Sequence, residues 1–319
     1  MPERFGAMNP RPAMALASAV GRRFSAPVTR ALHMRQLACL LVMFAVAFPA
    51  GAQQRTGGPY VPTPQAVVDE MLRLANVHAD DVVVDLGSGD GRIVLTAAQR
   101  YGARGFGLEI DEELVQASNA EAERLGVADR VRFVQQDVLE AHIEEATVLT
   151  LYLLPAMTAM LRPKILNDLK PGTRVVSHDF DFGEWQPDRK VVVDLSEKYG
   201  TSGAFQSNVF LWTVPVRIEG EWRVTAARAA SAPFRLRLKQ QFQYFEGGAA
   251  LAGRTVKLKR GEIDGATIRF ELALPRNHGK VQRWLFVGTV NGDAIRGEIR
   301  LPGGEAAGNW NAARAAALQ

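Results

Sequence analysis

Residues 82–92 read Val-Val-Val-Asp-Leu-Gly-Ser-Gly-Asp-Gly-Arg, and this stretch decides the fold. The three valines predict a buried β-strand, and Asp85 is followed by a turn that has glycine at every second position: Gly87, Gly89 and Gly91. Glycine lets the backbone turn sharply and lets a ligand approach where any Cβ would collide. The stretch therefore predicts a strand that runs directly into a ligand-binding turn.

Glycine turns of this kind bind nucleotides in more than one way. The dinucleotide-binding fingerprint is G-x-G-x-x-G, and its helix N-terminus receives a pyrophosphate. Here Gly91 comes one residue early, and Arg92 stands where that fingerprint has glycine or alanine. The carboxylate of Asp85 would also repel a pyrophosphate, because both are anions. We therefore expect a cationic ligand rather than a dinucleotide.

The chain around this turn, from residue 60 to about residue 215, alternates strand-like apolar runs with helical patterns. Such alternation is typical of an α/β domain with a mostly parallel sheet, and we assign residues 60–215 to one domain. The predicted strands lie at 82–86, 105–108, 131–135, 147–152, 174–177, 190–194 and 208–214. Predicted helices cover residues 64–75 and 111–125, and the second opens on three acidic residues, which suit a helix N-terminus.

The sequence after residue 215 has a different pattern, in which apolar and polar residues alternate. Residues 261–272 align with residues 288–299 as an internal repeat. The copies contain Asp264-Gly265 and Asn291-Gly292, dipeptides that favour two-residue hairpin turns with φ > 0 at both positions. We predict a small antiparallel β-meander or partial barrel over residues 219–305, which is either a structural or docking module or a ligand-binding barrel.

The spacing D-x-G-x-G-x-G at residues 85–91 resembles motif I of the class I S-adenosylmethionine-dependent methyltransferases. The resemblance covers residues 60 to about 215 and implies a Rossmann-like, doubly wound, seven-stranded and mostly parallel sheet, with S-adenosyl-L-methionine as the cofactor. It also implies that Glu109, after the second strand, takes the ribose hydroxyls, and that Asp137, after the third, holds the adenine amino group. The alternative is that Glu109 and Asp137 only cap helices. The implied cofactor-binding residues are Asp85, Gly87, Ser88, Gly89, Gly91, Glu109 and Asp137.

Three short segments narrow the resemblance. Residues 59–63 (Pro-Tyr-Val-Pro-Thr), 85–94 and 107–110 are similar to the small protein-lysine methyltransferases of mitochondria and prokaryotes, which modify the ADP/ATP carrier or the ATP synthase c-subunit. This implies a methyltransferase that acts on a protein lysine. The region after residue 215 has no counterpart in that group. Two alternatives therefore stay open: a small-molecule or lipid methyltransferase, and a non-catalytic exported protein that only binds the cofactor or a nucleotide.

Candidate residues for the methyl acceptor follow the fourth and fifth predicted strands. Tyr152 either closes an acceptor pocket or is a core tyrosine. His178 and Asp179 either supply a base or orient an amine, or His178 is a hydrogen-bonded structural residue. Asp181 and Trp185 follow on the same side. The sequence does not decide between these roles, so the catalytic residues stay open.

The first 52 residues form a predicted leader. Residues 37–48 are apolar, follow Arg35 and precede Pro-Ala-Gly-Ala, which is the layout of a signal peptide over residues 34–52. The alternative is an uncleaved membrane anchor, although the run is shorter than the roughly 20 residues of a spanning helix. We expect an exported, periplasmic protein or a membrane-anchored one, with a cytoplasm-facing anchor as the alternative.

Charge and cysteine content restrict the partners. The chain has a net charge of +4, but residues 53–319 carry 32 basic and 33 acidic residues, so the excess of positive charge belongs to the leader. This predicts no nucleic-acid partner, so the methyl acceptor implied by the resemblance is a protein or a small molecule, and any membrane association is through the leader. We predict no metal site, because the five histidines lack metal-ligand spacing and the single cysteine, Cys39, lies in the leader.

Overall fold

The computed structural model describes residues 60–198, 200–226, 229–230, 232–251, 253–275 and 280–315. The predicted leader lies outside these residues. The described residues all belong to one unit of mutually contacting residues, Thr56–Gln319, which contains two β-sheets. Within this described part of the chain, no helix has the length and apolar character needed to cross a bilayer.

The first sheet and its helices extend from the first described residues to Thr213. The elements are α1 (Gln65–Leu74), β1 (Val82–Leu86), α2 (Arg92–Tyr101), β2 (Arg104–Glu109), α3 (Glu112–Arg124), β3 (Val131–Gln135), β4 (Val148–Leu151), α4 (Pro155–Asp168), β5 (Arg174–His178), β6 (Arg189–Lys198) and β7 (Thr201–Thr213). The strand order is β3-β2-β1-β4-β5-β7-β6. Strands β1 to β5 are parallel, and β7 is antiparallel to β5 and β6. The predicted seven-stranded, mostly parallel sheet is confirmed.

Helices cover both faces of this sheet. Val83 of β1 packs in the same core cluster as the apolar face of α1, whereas the next residue, Val84, packs with α4. Successive side chains of a strand point to opposite faces, so an unbroken run of valines suits a strand that is buried on both sides. The parallel strands therefore bring their carboxyl ends to one edge of the sheet, where ligands bind in folds of this kind.

The second sheet is a closed antiparallel barrel. Its strands are β8 (Gly220–Thr225), β9 (Phe234–Gln241), β10 (Tyr244–Leu251), β11 (Arg254–Lys257), β12 (Lys259–Asp264), β13 (Thr267–Pro275), β14 (Val281–Asn291), β15 (Ala294–Arg300) and β16 (Ala306–Arg314). Strands β11 and β12 pair one after the other with β10, and β16 pairs with β8, so the ring closes with eight positions. The predicted meander or partial barrel is thus a complete barrel. Its closing strand, β16, lies beyond the predicted end at residue 305. The division into separate domains stays a prediction.

The barrel interior is filled by large side chains. Trp222, Trp284, Trp310, Phe270 and Phe286 are all buried there. An eight-stranded barrel is just wide enough for side chains to fill it or to hold one small ligand. The aromatic filling favours the structural or docking alternative over a ligand-binding barrel.

The two repeat turns differ from the prediction in one respect. Asp264 pairs with Thr267, so the central turn residues are Gly265 and Ala266, and only the glycine has positive φ, at +55°. The second copy behaves in the same way, with Gly292 at φ +56°. The expectation of φ > 0 at Asp264 and Asn291 is therefore wrong. Glycine at the first central position is the pattern of a type II′ hairpin turn, which also matches the twist of the flanking strands.

The net charge of residues 53–319 is close to zero, but positive and negative charges are distributed unequally between the two parts of this region. Residues 60–215 contain 24 acidic and 14 basic residues, a net charge of −10. Residues 216–319 contain 17 basic and nine acidic residues, a net charge of +8. The absence of a polyanion partner, which we predicted from the total charge, therefore does not follow for the barrel taken by itself.

Candidate active site

The glycine turn is held against the end of β2. Gly87, Gly89 and Gly91 have φ values of +75°, +54° and +76°, in the left-handed region that favours glycine. The backbone N–H groups of Gly87 and Ser88 both donate to the carbonyl oxygen of Leu108, at 2.8 and 3.0 Å. The alternation predicted from the sequence thus gives three left-handed positions, and the turn is fixed between β1 and α2.

Tyr60 covers this turn. A Cβ added to Gly89 would lie only 2.5 Å from a ring carbon of Tyr60. The tyrosine is half exposed, and burial followed by the charge of Asp90 raises the pKa of its hydroxyl. Asp90 is in turn ion-paired with Arg92. A side chain at position 89 would therefore first displace Tyr60.

Asp85 is a buried carboxyl group at the end of β1. Its Oδ1 accepts a hydrogen bond of 2.7 Å from the hydroxyl of Thr150 on β4, and the side chain has no Lys or Arg ion pair among the described residues. Burial, together with the charges of Glu109 and Asp90, raises the pKa of Asp85 from its ordinary value of 3.8 to about 7. A ligand cation beside Asp85 would stabilise the carboxylate form.

Glu109, the last residue of β2, is held by backbone N–H groups. Its Oε2 accepts from Gly89 at 2.9 Å, and its Oε1 accepts from Ile110 at 2.8 Å and from Asp111 at 3.2 Å. A carboxylate offers about four lone-pair positions, so about one remains for a ligand hydroxyl. Glu109 thus fixes the glycine turn as well as facing the crevice.

Asp137 lies two residues beyond the end of β3, which is the strand next to β2. Its Oδ1 accepts from the backbone N–H of Leu139 at 2.9 Å, and the side chain is partly exposed. Strands β1, β2 and β3 are neighbours in the sheet, so their ends bring Asp85, Glu109 and Asp137 to the same edge. The structure therefore brings together the three carboxylates singled out in the sequence. Their roles stay predictions.

His178 is the last residue of β5 and lies at the same edge of the sheet, on the other side of β1 from β2 and β3. It is fully buried, its Nδ1 lies 3.2 Å from the hydroxyl of Thr63, and its Nε2 lies 2.9 Å from the hydroxyl of Ser207. Burial, and then the nearby charge of Lys198, lowers the pKa of His178 from 6.5 to about 4, although Asp179 opposes the shift. The imidazole is neutral at pH 7, with both ring nitrogens hydrogen-bonded.

Tyr152 packs against this histidine, with the two ring planes tilted by 31°. The ring centroids of Tyr152 and His178 are 3.8 Å apart, and Phe180 lies 6.0 Å from Tyr152 on a nearly parallel plane. Tyr152 is half-buried and follows β4, the strand next to β5. The structure thus places Tyr152 at the crevice beside the glycine-turn strand β1.

Both carboxylate oxygens of Asp179 accept hydrogen bonds from residues of β6 and β7. Its Oδ2 accepts from the Nζ of Lys198 at 2.6 Å, and its Oδ1 accepts from the backbone of Asn208 at 2.8 Å. Its φ is +60°, a left-handed value that aspartate tolerates better than most residues. Asp181 is exposed, and Trp185 is fully buried in the core beside Trp212, so Trp185 is not an acceptor-side residue.

Comparison with known proteins identifies the family. A protein-lysine N-methyltransferase of Saccharolobus islandicus is 42% identical over 157 residues, which are 49% of this chain and 93% of that protein. This chain belongs to the protein-lysine N-methyltransferase family. The family model described as the ANTKMT methyltransferase domain matches residues 85–189 of the methyltransferase. The lysine N-methyltransferase of the ATP synthase c-subunit from Xenopus laevis is 34% identical over 47% of this chain and 66% of its own length.

Among solved structures, an RNA methyltransferase from Salinibacter ruber in complex with S-adenosyl-L-homocysteine is 54% identical and covers 50% of this chain and 96% of its own, with a TM-score of 0.45. The regions matched by these relatives are about half of the chain. The cofactor of this methyltransferase is S-adenosyl-L-methionine, as the sequence predicts.

The residues present fit S-adenosyl-L-methionine. The ligand carries an ammonium group, and Asp85 is a buried carboxyl group without a cationic side-chain partner in the described part of the chain. The hydroxyl of Ser88 is buried and finds no hydrogen-bond partner among the described residues, which leaves one polar atom in the turn for a ligand. When bound, the cofactor would supply an activated methyl group, and Asp85 with the neighbouring strand ends would hold the cofactor.

Several residues of the methyltransferase site were not singled out in the sequence. Thr63 contacts His178 with its hydroxyl, and its carbonyl accepts from Arg92 at 2.9 Å, so the segment that starts at Tyr60 joins the glycine turn to β5. Thr63 stands in the Pro-Tyr-Val-Pro-Thr motif, which was the available signal. Ser207 and Lys198 come from the antiparallel β6–β7 pair, and nothing in their local sequence marks them. In the described residues, no cluster of His, Cys, Asp and Glu side chains has the geometry of a metal site.

Proposed function

We propose that this methyltransferase transfers a methyl group to the ε-amino group of a lysine in a protein substrate. The observation that carries the proposal is the contact between Tyr152 and His178 at the ends of β4 and β5, of which β4 lies directly beside the cofactor-side strand β1. A half-buried aromatic face suits the approach of a lysine side chain, because it attracts ammonium groups and desolvates amines. The relatives named as lysine methyltransferases support the same acceptor.

The chemistry requires a neutral amine at the acceptor position. Burial beside apolar rings lowers a lysine pKa, which favours the nucleophilic form. His178 is too weak a base at pH 7 to take the proton efficiently, because its pKa is about 4. We therefore assign His178 the role of holding Tyr152 in place, with the amine proton passing to solvent. The net charge of −10 over residues 60–215 favours the encounter with a lysine-bearing substrate.

The test uses the purified protein and S-adenosyl-L-methionine with a radiolabelled methyl group. Three acceptor preparations from the source cells are offered separately: total protein, total RNA and extracted lipid with small molecules. The labelled protein is hydrolysed, and its amino acids are identified by mass spectrometry. Asp85→Ala serves as the inactive control, and Thr225→Val, on the outer surface of the barrel, is the matched active control.

The expected result is labelled N-methyllysine from the protein preparation alone. Label found only in RNA, only in lipid or small molecules, or on a residue other than lysine would refute the lysine assignment. The RNA preparation is a necessary comparison, because the barrel carries a net charge of +8.

We also propose that the apolar run in the leader, residues 37–48, either anchors the protein in a membrane or directs its export across one. The pattern of charge, apolar run and small residues supports this placement. An anchor with the catalytic part facing the cytoplasm agrees best with a cofactor made there. N-terminal sequencing of the native protein, with fractionation of the cells, tests the proposal. A native protein that begins before residue 34 and fractionates without membrane or periplasm would contradict it.

A further inference from the structure

The turn between β9 and β10, formed by Phe242 and Gln243, reaches the first sheet. We call these two residues the docking turn. Phe242 has φ +53°, a left-handed value that is unfavourable for a bulky side chain and easy for glycine. A residue stays in such a conformation only when its surroundings hold it there. The contacts of this turn hold Phe242 in that conformation.

The ring of Phe242 lies against the loop that follows β5. Its centroid is 6.3 Å from that of Trp185, with the two planes 18° apart, and the guanidinium of Arg162 lies 5.5 Å from the same ring. Trp185 is fully buried. The ring thus completes a stack in which one member comes from the barrel, one from the loop and one from α4.

Gln243 makes polar contacts with the same loop. Its side chain is only 4% exposed, and its Nε2 donates to the carbonyl oxygen of Gln186 at 2.6 Å and towards Asp188 Oδ1 at 3.3 Å. The other oxygen of Asp188 accepts from the backbone of Thr213 on β7 at 2.6 Å. Gln243 therefore fixes the far end of the loop to the sheet.

The segment that the docking turn contacts, residues 179–188, also borders the proposed acceptor pocket. We call it the acceptor loop. It begins at Asp179 and Phe180, and Phe180 faces Tyr152. From α4, Thr158 donates to the carbonyl of Asp181 at 3.1 Å, and Arg162 donates to the carbonyl of Phe182 at 2.8 Å. One side of the loop thus borders the acceptor pocket, and the other is held by α4 and the docking turn.

We propose that the docking turn positions the acceptor loop, so that the barrel sets the geometry of methyl-acceptor binding without entering the acceptor pocket. Phe242 and Gln243 are then positioning residues for the transfer reaction. The location of the acceptor pocket rests on the proposed function. The cofactor side is independent of the docking turn, because Asp85, Glu109 and Asp137 lie at the ends of β1, β2 and β3.

The experiment compares four variants of the full chain with the parent. Phe242→Ala removes the ring, and Phe242→Gly removes the ring while also relieving the left-handed strain. Gln243→Ala removes the polar contacts and keeps the ring. Tyr244→Ala is the matched control, since this neighbouring aromatic is 52% exposed on the outer surface. The measurements are amide hydrogen exchange over residues 179–188, the Kd for S-adenosyl-L-homocysteine, and the steady-state kinetics of methyl transfer to the protein preparation.

We expect amide exchange in the acceptor loop to rise roughly tenfold or more in Phe242→Ala, Phe242→Gly and Gln243→Ala, and to stay unchanged in Tyr244→Ala. The cofactor Kd should stay within about twofold of the parent, while the acceptor KM rises. Unchanged exchange in the loop of the Phe242 and Gln243 variants would overturn the proposal. A loss of cofactor affinity as large as the rise in the acceptor KM would also overturn the proposal, because the docking turn would then only stabilise the whole fold.

Hydrogen exchange and cofactor binding need no methyl acceptor. If the loop responds as expected but no lysine is methylated, the positioning role stands and the proposed acceptor fails. If lysine is methylated but the loop does not respond, the proposed acceptor stands and the positioning role fails.

Discussion

Asp85 combines burial, hydrogen bonding and charge in one carboxyl group. Its folded-state pKa of about 7 lies well above its ordinary value of 3.8. The folded protein therefore binds a proton at this residue more tightly than the unfolded chain does. The resulting contribution to stability is fully present below pH 3.8 and is lost as the pH rises to about 7.

Asp85→Asn should stabilise the cofactor-free protein above pH 7, because the amide keeps an acceptor for Thr150 without a buried charge. The expected gain is roughly 1–4 kcal/mol in the free energy of unfolding, given about 1.4 kcal/mol for each unit of pKa shift. Denaturant unfolding at pH 5 and pH 8 measures it. The same variant should lose most of its affinity for S-adenosyl-L-methionine in calorimetry. A variant that is less stable than the parent at pH 8 would show that the carboxylate has a cationic partner.

His178 has the opposite linkage. Its folded-state pKa of about 4 lies below its ordinary value of 6.5, so the folded state resists protonation. The corresponding stability is present above pH 6.5 and is lost as the pH falls towards 4. Between these values the slopes due to Asp85 and His178 have opposite signs.

His178→Gln should therefore change the shape of the pH–stability curve between pH 4 and pH 6.5. Without the histidine, stability should fall with rising pH over this range, because the linkage at Asp85 is no longer opposed. Urea unfolding of parent and variant at half-unit pH intervals measures the difference. If the two curves run parallel, His178 is not buried in its neutral form.

The end of β2 illustrates how one strand terminus serves both fold and ligand. Glu109 accepts three backbone N–H groups, one of which belongs to the glycine turn after β1. The strand end thus fixes the turn from a neighbouring element. The same carboxylate faces the crevice in which the ribose is expected.

Glu109→Ala should lower affinity for S-adenosyl-L-homocysteine roughly 10- to 150-fold, since charge-assisted hydrogen bonds contribute about 1.5–3 kcal/mol each. It should also lower the Tm, because the N–H of Gly89 loses its acceptor. Glu109→Gln, which keeps one carbonyl oxygen, should lose less of both. Calorimetry and thermal melting measure the two effects. An unchanged Kd in Glu109→Ala would move the ribose contact to another residue.

The accuracy of the sequence-based predictions differed between elements for physical reasons. The boundaries of β1 and β3 matched because each is a short segment with strand-like apolar residues between turn residues. Helix α4 was not predicted, since it contains Pro163 and its apolar residues do not keep to one face. Ser207 and Lys198 had no local signal, because only strand pairing brings them near the site: β7 pairs with β5 and places Ser207 beside His178, and β6 pairs with β7 and places Lys198 beside Asp179.

At the scale of the whole molecule, the two sheets meet through few but specific contacts. Besides the docking turn, the segment that joins β7 to β8 contacts both parts: the N–H of Val216 donates to the carbonyl of Gly265 in the barrel at 2.8 Å, and Arg217 bonds to Asn167 at the end of α4. These contacts lie far along the chain from the cofactor-binding strand ends. Among the described residues, these contacts involve the acceptor loop and the end of α4, and none of them involves the glycine turn.

A chain that ends at residue 216 should still bind S-adenosyl-L-methionine, while transfer to a protein acceptor is lost. The reason is that the cofactor contacts come from β1, β2 and β3, whereas the acceptor loop loses Phe242 and Gln243. Calorimetry measures binding, and circular dichroism establishes that the shortened chain is folded. A folded chain without cofactor affinity would show that the barrel contributes to the cofactor pocket.

The docking turn also imposes an order on biosynthesis. Gln243 and the loop residue that it binds, Gln186, are 57 positions apart, and the loop leaves the ribosome first. All of the cofactor-binding strands precede both. A nascent chain can therefore form its cofactor site early, whereas the loop beside the acceptor pocket is completed only after β9 and β10 have been translated and paired. If the chain up to residue 216 binds the cofactor by itself, as predicted above, a partly translated chain will hold its cofactor before it can act on a substrate.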